Sequence, residues 1–226
     1  GTPEDWKATS LTNRVNRLNA LPNLPDFVVI SGDLVDFLPL KYNDPQVEGP
    51  LHGFKNVMDE LDVPWYASIG NHEHYDEHEP NLTTTEDGPA RVAVWEEVLQ
   101  RSVPQQWDHE GVRFITLNSM EDGSWAENAG LMGRFSEDQL DQLDAWLADG
   151  MPTFLFFHHP PNTLSELLDQ RSLCDVIEAH PGIVKGLFTG HLHGFWKGDY
   201  CDVPYFVVVN FQDQPDTWFE MRYEGE

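Results

Sequence analysis

Short runs rich in Val, Ile, Phe and Tyr recur along the chain between stretches of helical periodicity. The first is Asp26 to Ser31, followed by Trp65 to Ile69 and Arg113 to Asn118. Thr153 to Phe157, Gly186 to Thr189, Tyr205 to Asn210 and Trp218 to Tyr223 continue the series. Such runs, bounded by turn formers, predict buried strands. The last two lie close enough in sequence to be expected as an antiparallel pair, which would make the sheet mixed.

Between these runs the apolar residues change period. Leu11, Val15 and Leu18 fall on one helical face after the capping candidates Thr9 and Ser10, and Phe54, Val57, Met58 and Leu61 form a second stripe. The clearest helix is expected to start at Ser136, with Gln139 at capping-box spacing, and to run through Leu140, Leu143, Trp146 and Leu147 to Gly150. A last helix is expected over Leu164 to Ala179, carrying Leu167, Leu168, Val176 and Ile177. The acidic segment Tyr75 to Pro89 reads as a surface loop. Strands alternating with helices predict a layered α/β domain, without internal repeats or a long linker.

Composition narrows the picture. A chain of 226 residues with 40% hydrophobic content suffices for one sizeable core, so a single domain over residues 1–226 is expected. No run approaches the roughly 18 to 20 apolar residues of a membrane span, and a soluble chain is expected. A formal net charge of −26 disfavours nucleic-acid backbones and anionic lipid as partners. Cys174 and Cys201 are read either as a pair in an oxidising compartment or as buried thiols, and their spacing fits no zinc knuckle.

The polar residues at the strand ends carry the chemistry. Gly32-Asp33-Leu34-Val35-Asp36 follows the first run and Gly70-Asn71-His72-Glu73 the second. His158-His159-Pro160 follows the run ending at Phe157, and Gly190-His191-Leu192-His193 the run ending at Thr189. Each alone reads as a turn or as ordinary histidines. Together they place ligand-type side chains at four strand ends, where loops of an open α/β sheet converge. Carboxylate, amide oxygen and imidazole, with no thiolate, suit divalent Mn, Fe, Zn or Co. A pair of such cations clamps phosphoryl oxygens, which points to a phosphate ester as substrate. The remaining histidines, His52, His74, His78, His109 and His180, read as surface or loop residues.

In this order, Gly-Asp-x-x-Asp, Gly-Asn-His-Glu, His-x-Pro and Gly-His-x-His resemble the signature of calcineurin-like metallophosphoesterases, over Gly32 to His193. The resemblance implies an αββα domain with mixed sheets flanked by helices, and a centre of two divalent metal ions. It implies that Asp33 bridges both metals, that Asn71, His158 and His191 complete one site, and that His193 serves the other. His72 would be the general acid, oriented by Asp36, with a metal-bridging hydroxide as nucleophile. His158 is preferred to His159 because it stands two positions before the proline. His-His-Pro-Pro and the compact length are similar to the cyclic-nucleotide-phosphodiesterase-like branch, which implies phosphodiesters as substrates.

The family pattern opens with an Asp-x-His strand about thirty residues before Gly-Asp-x-x-Asp, and Gly1 to Asp26 holds no such motif. The expectation is that this strand was removed or is not represented. If it is absent, a catalytically impaired binding protein with an incomplete metal centre is the alternative. Phe37 to Pro50, Tyr75 to Pro89 and Glu121 to Met132 are the candidate substrate-lining loops, with Trp125 as a stacking surface or a structural residue.

Overall fold

The computed structural model describes residues 3–38, 49–74, 87–120, 131–164, 170–210 and 218–224. Its layers are helix, sheet, sheet, helix, in agreement with the αββα expectation. One outer layer holds α1 (Pro3–Asn19), α2 (Pro50–Met58) and α3 (Asp87–Leu99) over a parallel pair, β1 (Val28–Ile30) and β2 (Trp65–Ala67). The second sheet has six strands: β3 (Gln105–His109), β4 (Val112–Thr116), β5 (Thr153–Phe156), β6 (Val184–Thr189), β7 (Trp196–Tyr200) and β8 (Val203–Val207). Their order is β3-β4-β5-β6-β8-β7, with the two outer pairs antiparallel and the inner three pairings parallel. The other helical layer is α4 (Glu137–Leu147) and α5 (Leu173–Ala179).

Period-two alternation of side chains in the six-stranded sheet builds two cores from the same strands. Phe114, Phe154, Phe156 and Phe188 face the small sheet and meet Phe27 and Val29. Ile115, Leu155 and Leu187 point the other way, into the core with Leu140, Leu143 and Leu147 of α4 and Val176 of α5. The core between the sheets is aromatic: Tyr66 stacks on Trp107 at 3.6 Å and Phe27 meets Phe114 edge-on at 4.8 Å. A third core lies under α1, α2 and α3, where Val15, Leu51, Trp65 and Trp95 are buried.

Several elements differ from the sequence expectation, for identifiable reasons. Tyr205 pairs antiparallel with Gly198 of β7, and residues 218–224 form no strand. The strand β7 carries Lys197 and Asp199 at alternate positions and β3 has Trp107 as its one apolar residue, so their hydrophobic signal is weak. Both lead into two-residue hairpins: Glu110 and Gly111 have φ of 48° and 78°, and Cys201 and Asp202 have 53° and 61°. Positive φ at both central positions is the type I′ geometry, and Cys-Asp is far from the usual Asn-Gly signal. The helix α3 begins at Asp87, inside the segment expected as a loop, because Gly88-Pro89 reads as a breaker although proline suits a first helical turn.

The start of α1 at Pro3 puts Thr9 and Ser10 inside the helix rather than at its cap. The expected helix over Leu164 to Ala179 is α5 alone, started by a Ser172–Asp175 capping box; Leu164 bridges to Gly133, and Leu167 and Leu168 lie outside the described residues. Ser136 caps α4 as expected, accepting from the Gln139 N–H. The Gln139 side chain, however, exchanges two hydrogen bonds with the Asn118 backbone, at 2.7 and 2.8 Å, and so ties α4 to the end of β4. Cys174 and Cys201 form a disulfide between α5 and the β7–β8 turn. Among the described residues, no helix is long and apolar enough to cross a membrane.

Candidate metal centre

The four motif loops leave the carboxyl ends of β1, β2, β5 and β6 and meet at one place. Two glycines make the approach close enough. A Cβ on Gly70 would fall 2.3 Å from Asp33 Oδ1, and one on Gly32, whose φ is +90°, would fall 2.8 Å from the Gly70 nitrogen. Asp33, His191 and His193 all hold left-handed backbone, with φ of 54°, 69° and 55°. Clustered conformations of this kind cost free energy and mark positions where side-chain aim outweighs local comfort.

Four donor atoms converge. Asn71 Oδ1 lies 2.9 Å from His158 Nε2 and 3.1 Å from His191 Nδ1. Asp33 Oδ2 lies 3.1 Å from His158 Nε2, which is 3.3 Å from His191 Nδ1. Ligands about 2.0 to 2.1 Å from a divalent cation stand about 2.8 to 3.4 Å apart along the edges of an octahedron or tetrahedron. The observed separations of 2.9 to 3.3 Å match that spacing.

Tautomer chemistry makes the same point. His158 Nδ1 lies 2.8 Å from the Ser31 carbonyl, which can only accept, so that nitrogen carries the proton. In the neutral ring Nε2 then aims a lone pair at Asp33 Oδ2 and Asn71 Oδ1, both acceptors. A positive charge among them relieves the repulsion, and the residues therefore fit a bound cation. The same demand for positive charge governs the titration, where a proton on His158 meets it. Burial works against the His158 imidazolium, but the Asp33 carboxylate beside it carries the pKa upward. Asp33 is held far below the ordinary carboxylate range, burial being outweighed by His158 and His72. Burial and the neighbouring His158 push His191 down to about 4.

His193 is exposed and stands outside this four-atom cluster. It lines a cavity of about 440 Å³ together with Asp33, Asn71, His72, Leu131, His191 and Leu192. His72 Nδ1 lies 3.0 Å from the backbone carbonyl of Asp36, so the Asp36 main chain touches the His72 ring. The His72 backbone N–H donates to Asp33 Oδ1 at 3.0 Å. His159 packs beside the cluster, its ring perpendicular to that of His158, 4.5 Å from the His191 ring centroid, and its Nδ1 2.8 Å from Ser119 Oγ. One ring nitrogen each of His158, His159 and His191 still falls within 4.8 Å of the others.

Sequence reasoning passed over Glu73, the last residue of Gly-Asn-His-Glu. Its buried carboxylate accepts from the backbone N–H groups of Asp33, Leu34, Val35 and Gly70, at 3.1, 2.6, 3.1 and 2.7 Å. It thus shapes the Asp33 loop and fastens it to the Asn71 loop. Burial and the Asp33 charge push its pKa up to about 7, against the pull of the Gly70 and Val35 N–H groups. His74, expected at the surface, is buried, and burial with the nearby Arg91 lowers its pKa to about 3. Trp125 lies outside the described residues, as do most of the three expected lining loops.

A sequence model described as calcineurin-like phosphoesterase matches residues 5–195. The chain belongs to the calcineurin-like phosphoesterase family. Within curated proteins, this phosphoesterase-family chain is 28% identical over 202 residues to the glycerophosphodiester phosphodiesterase GpdQ of Enterobacter lignolyticus. The match covers 82% of the chain but only 62% of the relative's length. In solved structures its fold resembles a dimetal phosphatase from Danio rerio, with a TM-score of 0.63 and 18% identity over 89% of this chain and 77% of the other. A putative 5′-nucleotidase from Staphylococcus aureus follows at 0.52 and 13% identity, covering 88% of this chain and 42% of that one.

Proposed function

We propose that this chain hydrolyses phosphate esters, phosphodiesters in particular, at a centre of two divalent metal ions. The observation that carries the reading is the convergence of Asp33 Oδ2, Asn71 Oδ1, His158 Nε2 and His191 Nδ1 from four separate strand ends. Asp33, Asn71, His158 and His191 would hold one cation, and His193 with Asp33 would contribute to the second. Bound divalent cations supply Lewis-acid charge to phosphoryl oxygens and lower the pKa of coordinated water. Mn, Fe, Zn and Co all suit this donor set.

The chain's own groups supply positioning and proton transfer. His72 lines the same cavity as Asp33 and His193, and the Asp36 carbonyl fixes its ring through Nδ1. That leaves Nε2 as the atom to pass a proton to the departing alkoxide. Glu73 holds the Asp33 and Asn71 loops in register, so the donor atoms are set before substrate arrives. The diester preference rests on the relative named as a glycerophosphodiester phosphodiesterase, together with the His-His-Pro-Pro run at His158 to Pro161.

The test is steady-state hydrolysis of dibenzyl phosphate, whose leaving alkoxide needs a proton, by metal-loaded protein, wild type against His72→Ala, with metal content measured in both. His72→Ala should lower kcat by roughly 10²- to 10⁴-fold with metal content unchanged. Unaltered kcat would remove the acid role of His72. Metal-loaded wild type without hydrolysis would remove the enzyme reading and favour a binding protein.

A further inference from the structure

Five of the seven residues lining the cavity carry ligand or acid–base groups. The other two are Leu131 and Leu192, which are 61% and 37% exposed. Among the described residues neither belongs to a hydrophobic core, so packing within the described fold does not account for leucine at either position. Both are tied to the loop that aims the histidines. Leu192 sits between His191 and His193, whose left-handed backbone fixes its direction too. The Leu131 backbone hydrogen-bonds the His191 ring. The chain leaving this loop continues apolar and exposed: Phe195 and Trp196 are more than half exposed, and Phe195 stacks on Phe219 at 5.1 Å.

Exposed apolar side chains grouped beside a polar centre characterise ligand sites, where a few polar groups orient and apolar walls supply contact. We infer that the Leu131 and Leu192 wall is a subsite for an apolar organic group on the ester. The substrate class is then a phosphoester with one aromatic or hydrocarbon-bearing alcohol, rather than a small polar alcohol such as glycerol. The inference rests on the phosphoesterase reading above. Electrostatics agrees, because the residues lining the described cavity include no Lys or Arg to hold an anionic ester away from bound cations. Discrimination among esters therefore falls to uncharged contacts, and these two leucines are the ones the described cavity provides.

Calorimetric titration of metal-loaded full chain with phenylphosphonate and methylphosphonate, neither of which can be hydrolysed, separates the possibilities. Wild type should bind the phenyl compound about tenfold tighter, a difference of about 1.4 kcal/mol. In Leu131→Ser/Leu192→Ser, metal content being retained, the preference should fall below about threefold. The single variant Leu131→Ser, altered outside the two-histidine loop, should lose part of it. Equal affinities in wild type, or a preference surviving the double substitution, overturn the subsite and leave the hydrolase reading intact. Failure of both phosphonates to bind while metal is held removes the hydrolase reading and this inference with it. Light scattering covers the remaining occupant: a wild-type dimer made monomeric by the double substitution, with the phenyl preference unchanged, assigns the leucines to contact between copies and overturns the subsite.

Discussion

His158 Nε2 lies 2.9 Å from Asn71 Oδ1 across 87 residues of chain, joining the loop after β5 to the loop after β2. The two atoms come from different sheets of the αββα stack, so the donor cluster forms only when the sheets have packed face to face. Folding and metal affinity should thereby be coupled, because a site assembled by tertiary structure would bind a cation in the folded chain alone.

Removing a donor should therefore be felt in metal retention first. Asn71→Ala and His158→Ala are each expected to weaken binding by at least about 100-fold, more than the 10- to 100-fold typical of losing a supporting partner. Competition against a chromophoric chelator measures this directly. Wild-type affinity in either variant would exclude that residue as a ligand.

Glu73 should matter for both stability and metal binding. Glu73→Ala strands four backbone donors now satisfied by one carboxylate, and the cost should exceed about 3 kcal/mol in urea unfolding. Glu73→Gln keeps the volume but turns an NH₂ group toward N–H donors, so it should also destabilise and weaken metal binding. A Gln variant as stable as wild type would show that the clamp acts through shape alone.

The Cys174–Cys201 disulfide closes a sequence separation of 27 residues. Loop-closure entropy puts its contribution at about 3 to 4 kcal/mol. Cys174→Ser/Cys201→Ser should lower Tm by several degrees in calorimetry. Retention of wild-type Tm would mean that the packing of α5 against its core alone sets stability there.

Asp144 on α4 binds His180 and Arg171, and those hydrogen bonds hold its pKa below the ordinary value. A carboxylate with a depressed folded pKa stabilises the native state above its unfolded pKa of about 3.9, and the contribution vanishes as pH falls through the folded value. Because the side chain is partly exposed, Asp144→Asn should cost under about 1 kcal/mol at pH 7. The difference should disappear once pH has fallen through that depressed value. Thermal melts of both proteins across that range check the sign, and a gap that widens in acid would contradict it.

Much of the site was legible because its chemistry is local. Asp33, Asn71, His158 and His191 each stand just past a hydrophobic strand, and the strand-to-loop transition can be read from side-chain periodicity. The same holds for Ser136 as the cap of α4, since an N-cap needs only its own backbone three residues on. The layered α/β arrangement followed from strands alternating with helices along the chain.

Tertiary structure decided what depends on direction and on distant partners. The motif spacing already favoured His158 over His159, but the hydrogen bonds that orient the two rings come from the Ser31 carbonyl and the Ser119 hydroxyl, 127 and 40 residues away. Glu73 acquires its role from N–H groups about forty residues earlier, and Asp36 meets His72 through a carbonyl that every residue possesses. The pairing of Tyr205 with Gly198 follows from a turn at Cys201 and Asp202 whose left-handed backbone is set by the surrounding strands. Sequence specifies which groups are available at each strand end; the packing of two sheets specifies which of them meet, because hydrogen-bond and metal distances are fixed in space rather than along the chain.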